Sequence, residues 1–177
     1  MSWPATGWWW LMANKTRITV AALAVSAACL VGIANREQFR SAAYKDSGGV
    51  WTVGYGETKG VKQGDRITPE RALIRLNDSV DQYARQIKSC FGDVPLYQHE
   101  FDSFVDLAYN VGAGAVCKSS IPRKLKAGQY EAACKTILSF DKITIAGHLV
   151  SCRDPKNNCK GIIKDRERVY RMCMGKS

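Results

Sequence analysis

From Ile18 to Ala34 the chain reads ITVAALAVSAACLVGIA, 17 residues without a charge, with Lys15 and Arg17 ahead of it and Arg36 behind. Basic residues before an apolar run make an export signal, and they favour keeping that flank cytoplasmic. The chain after residue 35 is therefore expected outside the cytoplasm. At about 1.5 Å per residue the run barely crosses a hydrocarbon layer of roughly 30 Å. It is rich in alanine and holds only two leucines, so insertion is expected to be marginal. Three fates follow: a signal peptide cut before Asn35, a weak anchor that later leaves the bilayer, or a permanent anchor. The releasable anchor is the favoured reading. The preceding MSWPATGWWWL reads as an upstream start, because Met12 already opens a complete export signal.

Six cysteines follow the run: Cys90, Cys117, Cys134, Cys152, Cys159 and Cys173. An even number in an exported chain points to three disulfides. Cys152 and Cys159 flank RDPKNN, a loop composition, which predicts a local bridge; Cys117–Cys134 and Cys90–Cys173 would complete the set. No cysteine or histidine spacing resembles a zinc site, and the only histidines are His99 and His148, so neither metal nor cofactor is expected. The seventh cysteine, Cys29, reads as a small apolar residue of the run. The sharper alternative is a free thiol able to attack a disulfide once the segment leaves the membrane.

With 177 residues, 46% of them hydrophobic, the chain can build one core. The division expected is an N-terminal extension and export segment over 1–34, apolar at 18–34, and one domain over 35–177. Lys and Arg outnumber Asp and Glu by 26 to 16, a net charge of +10, which attracts polyanions. Export and the cysteines argue against nucleic acid and leave anionic lipid headgroups, with residues 18–34 at a membrane, and the bacterial cell wall as candidates. A monomer is expected.

Asn35 can cap a helix over 36–43 that carries Glu37 and Phe39. KDSGG then breaks the pattern, and VWTVGYGET alternates like hairpin strands. Thr68-Pro69-Glu70 starts a helix, and Leu73, Leu76, Val80, Tyr83 and Ile87 keep one face buried for about 20 residues. Such a helix is roughly 30 Å long, enough to join two lobes. A further helix ends at Gly112, and SSIPRKLKAG, QYEAACKTILSF and KDRERVYRMC each suit a short one. The fold class expected is α+β: a small hairpin-containing N-terminal lobe, a mostly helical C-terminal lobe, and a cleft between them.

Three residues near the first lobe fit glycosidic chemistry, which needs a carboxylic acid to protonate the leaving oxygen and a second carboxylate for water or the anomeric carbon. Glu37, beside the apolar segment, is a candidate acid kept protonated by desolvation. Asp46, in a turn rich in backbone N–H donors, is a candidate to hold water, and Thr52 on the following strand offers that water a hydroxyl. The ordinary roles of these residues, a solvated helix charge, a turn former and a strand former, fit the same positions.

The spacing Glu-x8-Asp-x5-Thr within AYKDSGGVWTVGYG closely resembles the phage-type lysozyme (endolysin) family, glycoside hydrolase family 24. FVDLAYNVGAG, SSIPRKLKAGQYEAAC and KGIIKDRERVYRMC resemble three further segments of that family, so the similarity spans roughly residues 36–175. The resemblance implies a lysozyme-like fold and a muramidase that cuts the β-1,4 bond between N-acetylmuramic acid and N-acetylglucosamine of peptidoglycan. It implies that Glu37, Asp46 and Thr52 occupy the catalytic positions and that hydrolysis inverts the anomeric centre. An export segment ending just before the glutamate is similar to the signal-anchor-release subgroup, whose members are inactive while tethered to the inner membrane and act in the periplasm.

Some positions depart from the family pattern. Glu57 stands where histidine is usual, Asp165 where arginine is common and Val169 where glutamate is common. Asn110 reads as a helix-end cap with some prospect of touching substrate, His99 and His148 as surface residues, and Arg123, Lys124 and Lys126 as a basic patch. The rivals are a lytic transglycosylase, which would need only the acid, and a catalytically silent, membrane-anchored wall-binding module.

Overall fold

The computed structural model describes residues 16–46, 48–145 and 147–176; Lys15, Met12 and the tryptophan cluster lie outside them. The apolar run is broken into pieces that join the domain. Ile18–Thr19 (β1) pairs antiparallel with Pro95–Leu96 (β4), a short 3-10 turn covers Val20–Ala22, and a helix, α1, covers Ala27–Glu37. Ser26 starts α1 because its hydroxyl accepts the Cys29 N–H at 3.1 Å, satisfying a donor that the first turn cannot. Val20, Leu23, Cys29, Ile33 and Ala34 are all buried in the main core. Among the described residues no helix is long and apolar enough to cross a membrane.

The predicted helix over 36–43 is not formed. Asn35 lies inside α1, Glu37 is its last residue, and Gln38 has φ +53°, a left-handed conformation that stops the helix. Residues Arg40–Lys45 are instead strand β2, paired antiparallel with β3, Trp51–Gly54. Local helix propensity at 36–43 loses to pairing with the partner strand that VWTVG supplies. The domain boundary expected at residue 35 falls within α1.

The long helix, α2, spans Pro69–Phe91 as expected, with Thr68 accepting from Arg71 N and Pro69 in the first turn. Its buried stripe runs through Ala72, Leu76, Val80, Ala84, Ile87 and Phe91. Leu73, read as part of that stripe, is 40% exposed. The next helix, α3, covers Gln98–Val111 and is buried at every residue from Glu100 to Ala108, because α1, α2, α4 (Ala113–Lys118) and α7 (Lys160–Cys173) all pack on it. Helices α5 (Ile121–Lys126) and α6 (Tyr130–Thr136) match the short helices expected from sequence. A third antiparallel pair, β5 (Lys142–Ile145) with β6 (His148–Ser151), leads into the loop between Cys152 and Cys159.

Three buried acids on α3 each receive part of the N-terminal segment. Glu100 accepts from Arg17 Nε and Nη2, at 3.0 and 2.8 Å, while that guanidinium stacks over Tyr97 and Tyr130. Asp102 accepts the Ser26 N–H at 3.1 Å. Asp106 accepts from Arg36. Burying a carboxylate is tolerable only when it is paired or hydrogen-bonded, so this helix is complete only with residues 17–36 in place.

The disulfides are Cys90–Cys117, Cys134–Cys173 and Cys152–Cys159. The local bridge matches expectation; the predicted Cys117–Cys134 and Cys90–Cys173 pairs do not form. The end of α2 lies against α4, which brings Cys90 to Cys117, and α6 packs on α7, which brings Cys134 to Cys173. Helix packing, which spacing does not encode, decides the pairing. The bridge joining α6 to α7 closes a loop of 39 residues, so Cys134→Ser with Cys173→Ser is expected to lower unfolding free energy by about 4 kcal/mol. Denaturant titration of the oxidised protein checks this. Cys29 is the free cysteine, and it is buried, with its thiol pushed up by burial and by Asp102 and Asp106. In this fold it is a packing group held as a thiol, unfit to attack a disulfide.

Candidate active site

A cleft of about 710 Å³ opens between the turn after β3, the middle of α2 and the junction of α3 with α4, and Glu37 lines it. Glu37 reaches it because α1 stops there. The opposite wall is Gly56, whose φ of +91° suits glycine; a Cβ there would lie 3.2 Å from Glu37 Oε2. The cleft wall at residues 53–57 is pinned twice. Val53 and Glu57 exchange backbone hydrogen bonds at 2.9 and 3.0 Å, and the Tyr109 hydroxyl, from α3, donates to Tyr55 O at 3.1 Å.

Desolvation raises the Glu37 carboxyl above the usual carboxylate range; Arg36 opposes the shift, and Asp106 and Asp165 add to it. A raised carboxyl holds its proton further toward neutral pH, which is the state a general acid needs. Burial first, then the negative charges of Glu37 and Glu57, pushes the Tyr109 phenol up. It therefore stays a donor to Tyr55 throughout the ordinary pH range.

Asp46 and Thr52 are brought together at the other end of the hairpin. The Val50 carbonyl accepts from Asp46 N at 3.0 Å and from the Thr52 hydroxyl at 3.1 Å. Asp46 Oδ1 accepts from Gly48 N and Val50 N, both at 2.9 Å. This turn geometry leaves Oδ2 free of those two bonds. Thr52 is 3% exposed, opposite Tyr44 in the ladder. Neither residue is among those lining the cleft around Glu37. A second groove, of about 530 Å³ and lined in part by Arg66, Arg71 and Arg75, contains none of the three.

Two further residues enter the cleft: Glu57, noted in the sequence only as a departure from the family pattern, and Asn110, read there as a cap with some prospect of touching substrate. Glu57 accepts from Ser79 on α2 at 2.6 Å, tying the small lobe to the long helix across the cleft edge. Asn110 lines the cleft and is held by Arg166, which donates to its Oδ1 at 2.8 Å; the α3 cap is Gly112, whose N–H bonds Ala108 O. Behind Glu37 lies a cluster of Arg36, Asp106, Asp165, Arg166 and Arg168. The visible signal for it was Arg36 beside Glu37, together with unexplained acids in an apolar helix. Among the described residues no group of histidines, cysteines or acids is arranged to hold a metal.

Comparison with known proteins bears on the same fold. The family model described as phage lysozyme matches residues 34–167. The endolysin of Acyrthosiphon pisum secondary endosymbiont phage 1 is 33% identical over 138 residues, 78% of this chain and 89% of its own length. The SAR-endolysin of Pseudomonas phage phiKMV is 30% identical over 152 residues, 85% of this chain and 89% of its own. Among solved structures, the endolysin from Escherichia coli O157:H7 phage FAHEc1 superposes with a TM-score of 0.76 at 28% identity, over 86% of this chain and 94% of that one. With a glutamate at the cleft of a two-lobed α+β domain and a family match over most of its length, this chain belongs to the phage lysozyme family, glycoside hydrolases that act on peptidoglycan.

Proposed function

We propose that this chain cuts the β-1,4 bond between N-acetylmuramic acid and N-acetylglucosamine, with Glu37 as general acid and with Asp46 and Thr52 holding the attacking water. The observation that carries the reading is Glu37 itself: half-buried, at the cleft wall and protonation-favoured by desolvation. The hydrogen bonds of the hairpin tip suit the second part. With two N–H groups on Asp46 Oδ1 and the Thr52 proton directed to Val50 O, the remaining lone pairs are acceptors. Two acceptors take a water's two hydrogens and leave its lone pair for the anomeric carbon, the arrangement of an inverting hydrolase.

We further propose that residues 18–34 first tether the exported protein to the inner membrane and then leave it, making the enzyme periplasmic and releasing host lysis. Two facts support this. The phiKMV relative carries the name SAR-endolysin, and the run that resembles an anchor supplies core residues and the Ser26 N–H to buried Asp102, while its flanking Arg17 and Arg36 pair with buried Glu100 and Asp106.

Digestion of purified peptidoglycan by the full chain, with product ends analysed, tests the chemistry. New reducing ends that begin as the α anomer are expected, with Asp46→Asn slowing their release about 100-fold or more. Anhydro ends would point to a transglycosylase. A β-anomeric product would exclude inversion. Wall binding without cleavage would favour the silent binding module.

A further inference from the structure

We infer that Arg36, held by the carboxylates of Asp106 and Asp165, is the residue that positions Glu37 for proton donation. The inference rests on Glu37 being the general acid. Glu37 is the last residue of α1, and Gln38 turns the chain away at φ +53°. The starting direction of its side chain is therefore set by the final turn of α1. Arg36 fixes that turn in three ways. Its Nη1 donates to Gly32 O at 2.8 Å, one turn back; its Nη2 donates to Asp106 Oδ1; and its Nε lies 3.7 Å from Asp165 Oδ1. One guanidinium thus ties the end of α1 to both α3 and α7.

The two acceptors are themselves fixed. Asp106 is 2% exposed and its second oxygen accepts from Arg168 at 3.0 Å. Asp165 accepts from Arg166 at 2.6 Å and from Arg168 at 2.8 Å. On the other side of Glu37 the wall at Gly56 is pinned by Tyr109 and Glu57. The acid sits between a rigid wall and a helix end whose place is set by ions, and a misplacement of about 1 Å is enough to cost two orders of magnitude in rate. A planar fork that hydrogen-bonds two partners and ion-pairs with a third is a role lysine fills poorly.

The charges facing Glu37 come from every element packed against it: Arg36 on its own helix, Asp106 and the Tyr109 phenol from α3, Asp165 from α7, and, beyond Tyr109, Glu57 from the turn. Arg36 favours the carboxylate, and the two aspartates favour the acid. Removing each should therefore move the activity profile in opposite directions, which a merely structural role would not do.

The experiment measures kcat and KM against pH for the full chain, Arg36→Met, Arg36→Lys and Asp165→Asn, with Glu37→Gln as reference and melting curves for all. Arg36→Met is expected to lower kcat about 10-fold or more with KM within about twofold, and to move the basic limb to higher pH. Asp165→Asn is expected to move that limb to lower pH, and Arg36→Lys to recover part of kcat. Should Arg36→Met fail to fold, the limb of Asp165→Asn and the kcat of Arg36→Lys decide the matter. Wild-type kcat and limb in the folded variants, or lost activity with no limb shift in any, would overturn the inference. An active Glu37→Gln would instead overturn the acid assignment beneath it.

Discussion

A chain shortened to residues 35–177 is expected to fail to reach a stable, active fold, although it retains all three proposed catalytic residues. The truncation removes Val20, Leu23 and Ile33 from the core. Burying each such side chain contributes about 1.5–3 kcal/mol, so the loss is about 5–9 kcal/mol, comparable to the whole stability of a domain. It also removes Arg17 and Ser26 from Glu100 and Asp102 and most of the helix that carries Arg36 to Asp106. Breaking a buried pair from one side is strongly destabilising, because the partner charge stays buried. Circular dichroism and denaturant titration of the truncated chain beside the full one give the answer. Native-like melting of the truncated form would show that the segment is dispensable, and cleavage before Asn35 would again be a workable fate. Partial repair by supplying residues 16–34 as a separate peptide is the expected counterpart.

Glu37→Gln should abolish nearly all turnover and yet raise stability. Glutamine keeps the shape but has no transferable proton, so a loss of about 100- to 10,000-fold in kcat is expected. The stability gain has a definite pH dependence. Burial raises the folded-state pKa of Glu37 above its unfolded value, so the native state binds the proton more tightly than the unfolded chain. Wild-type stability from this group is full below the ordinary carboxyl pKa and declines as pH rises through the folded value. Glutamine carries no such dependence. The melting temperature of Glu37→Gln should therefore match wild type in acid and exceed it increasingly toward neutral pH. Equal melting temperatures at every pH would mean that the carboxyl is not desolvated in solution, and full activity in the variant would remove Glu37 from the mechanism.

The two results bear on one another through α1. That helix delivers Glu37 to the cleft with its last residue and fills the core with its first turns. If the apolar run lies in a membrane, α1 cannot pack on α3, and Arg36 cannot reach Asp106. Under the proposed release, gain of the acid's position and gain of the core are one event.

Much of this architecture was legible in the residues. Thr68-Pro69-Glu70 and the apolar spacing after it specify a long helix whatever surrounds them, because caps and amphipathic faces act within a few residues. The short loop between Cys152 and Cys159 made its bridge readable for the same reason. The motifs near Glu37, Asp46 and Thr52 were enough for the family and for the hairpin turn. Where local preference met a distant partner, the reading failed: residues 40–45 became a strand because β3 lies beside them, and Cys90 found Cys117 because α2 meets α4. Asn110 and Glu57 joined the cleft through Arg166 and Ser79, residues far from them in sequence. The apolar run shows the division most clearly. Its lack of charge makes it fit for a bilayer, but in the folded domain only Val20, Leu23, Cys29, Ile33 and Ala34 of the run are buried, while Ile18 and Val31 stay exposed. Three acids on α3, at positions that receive Arg17, Ser26 and Arg36, make the core the place where its flanking polar groups are also satisfied. Such matching is a property of two elements 70 to 83 residues apart, and it comes into being only when the chain has folded.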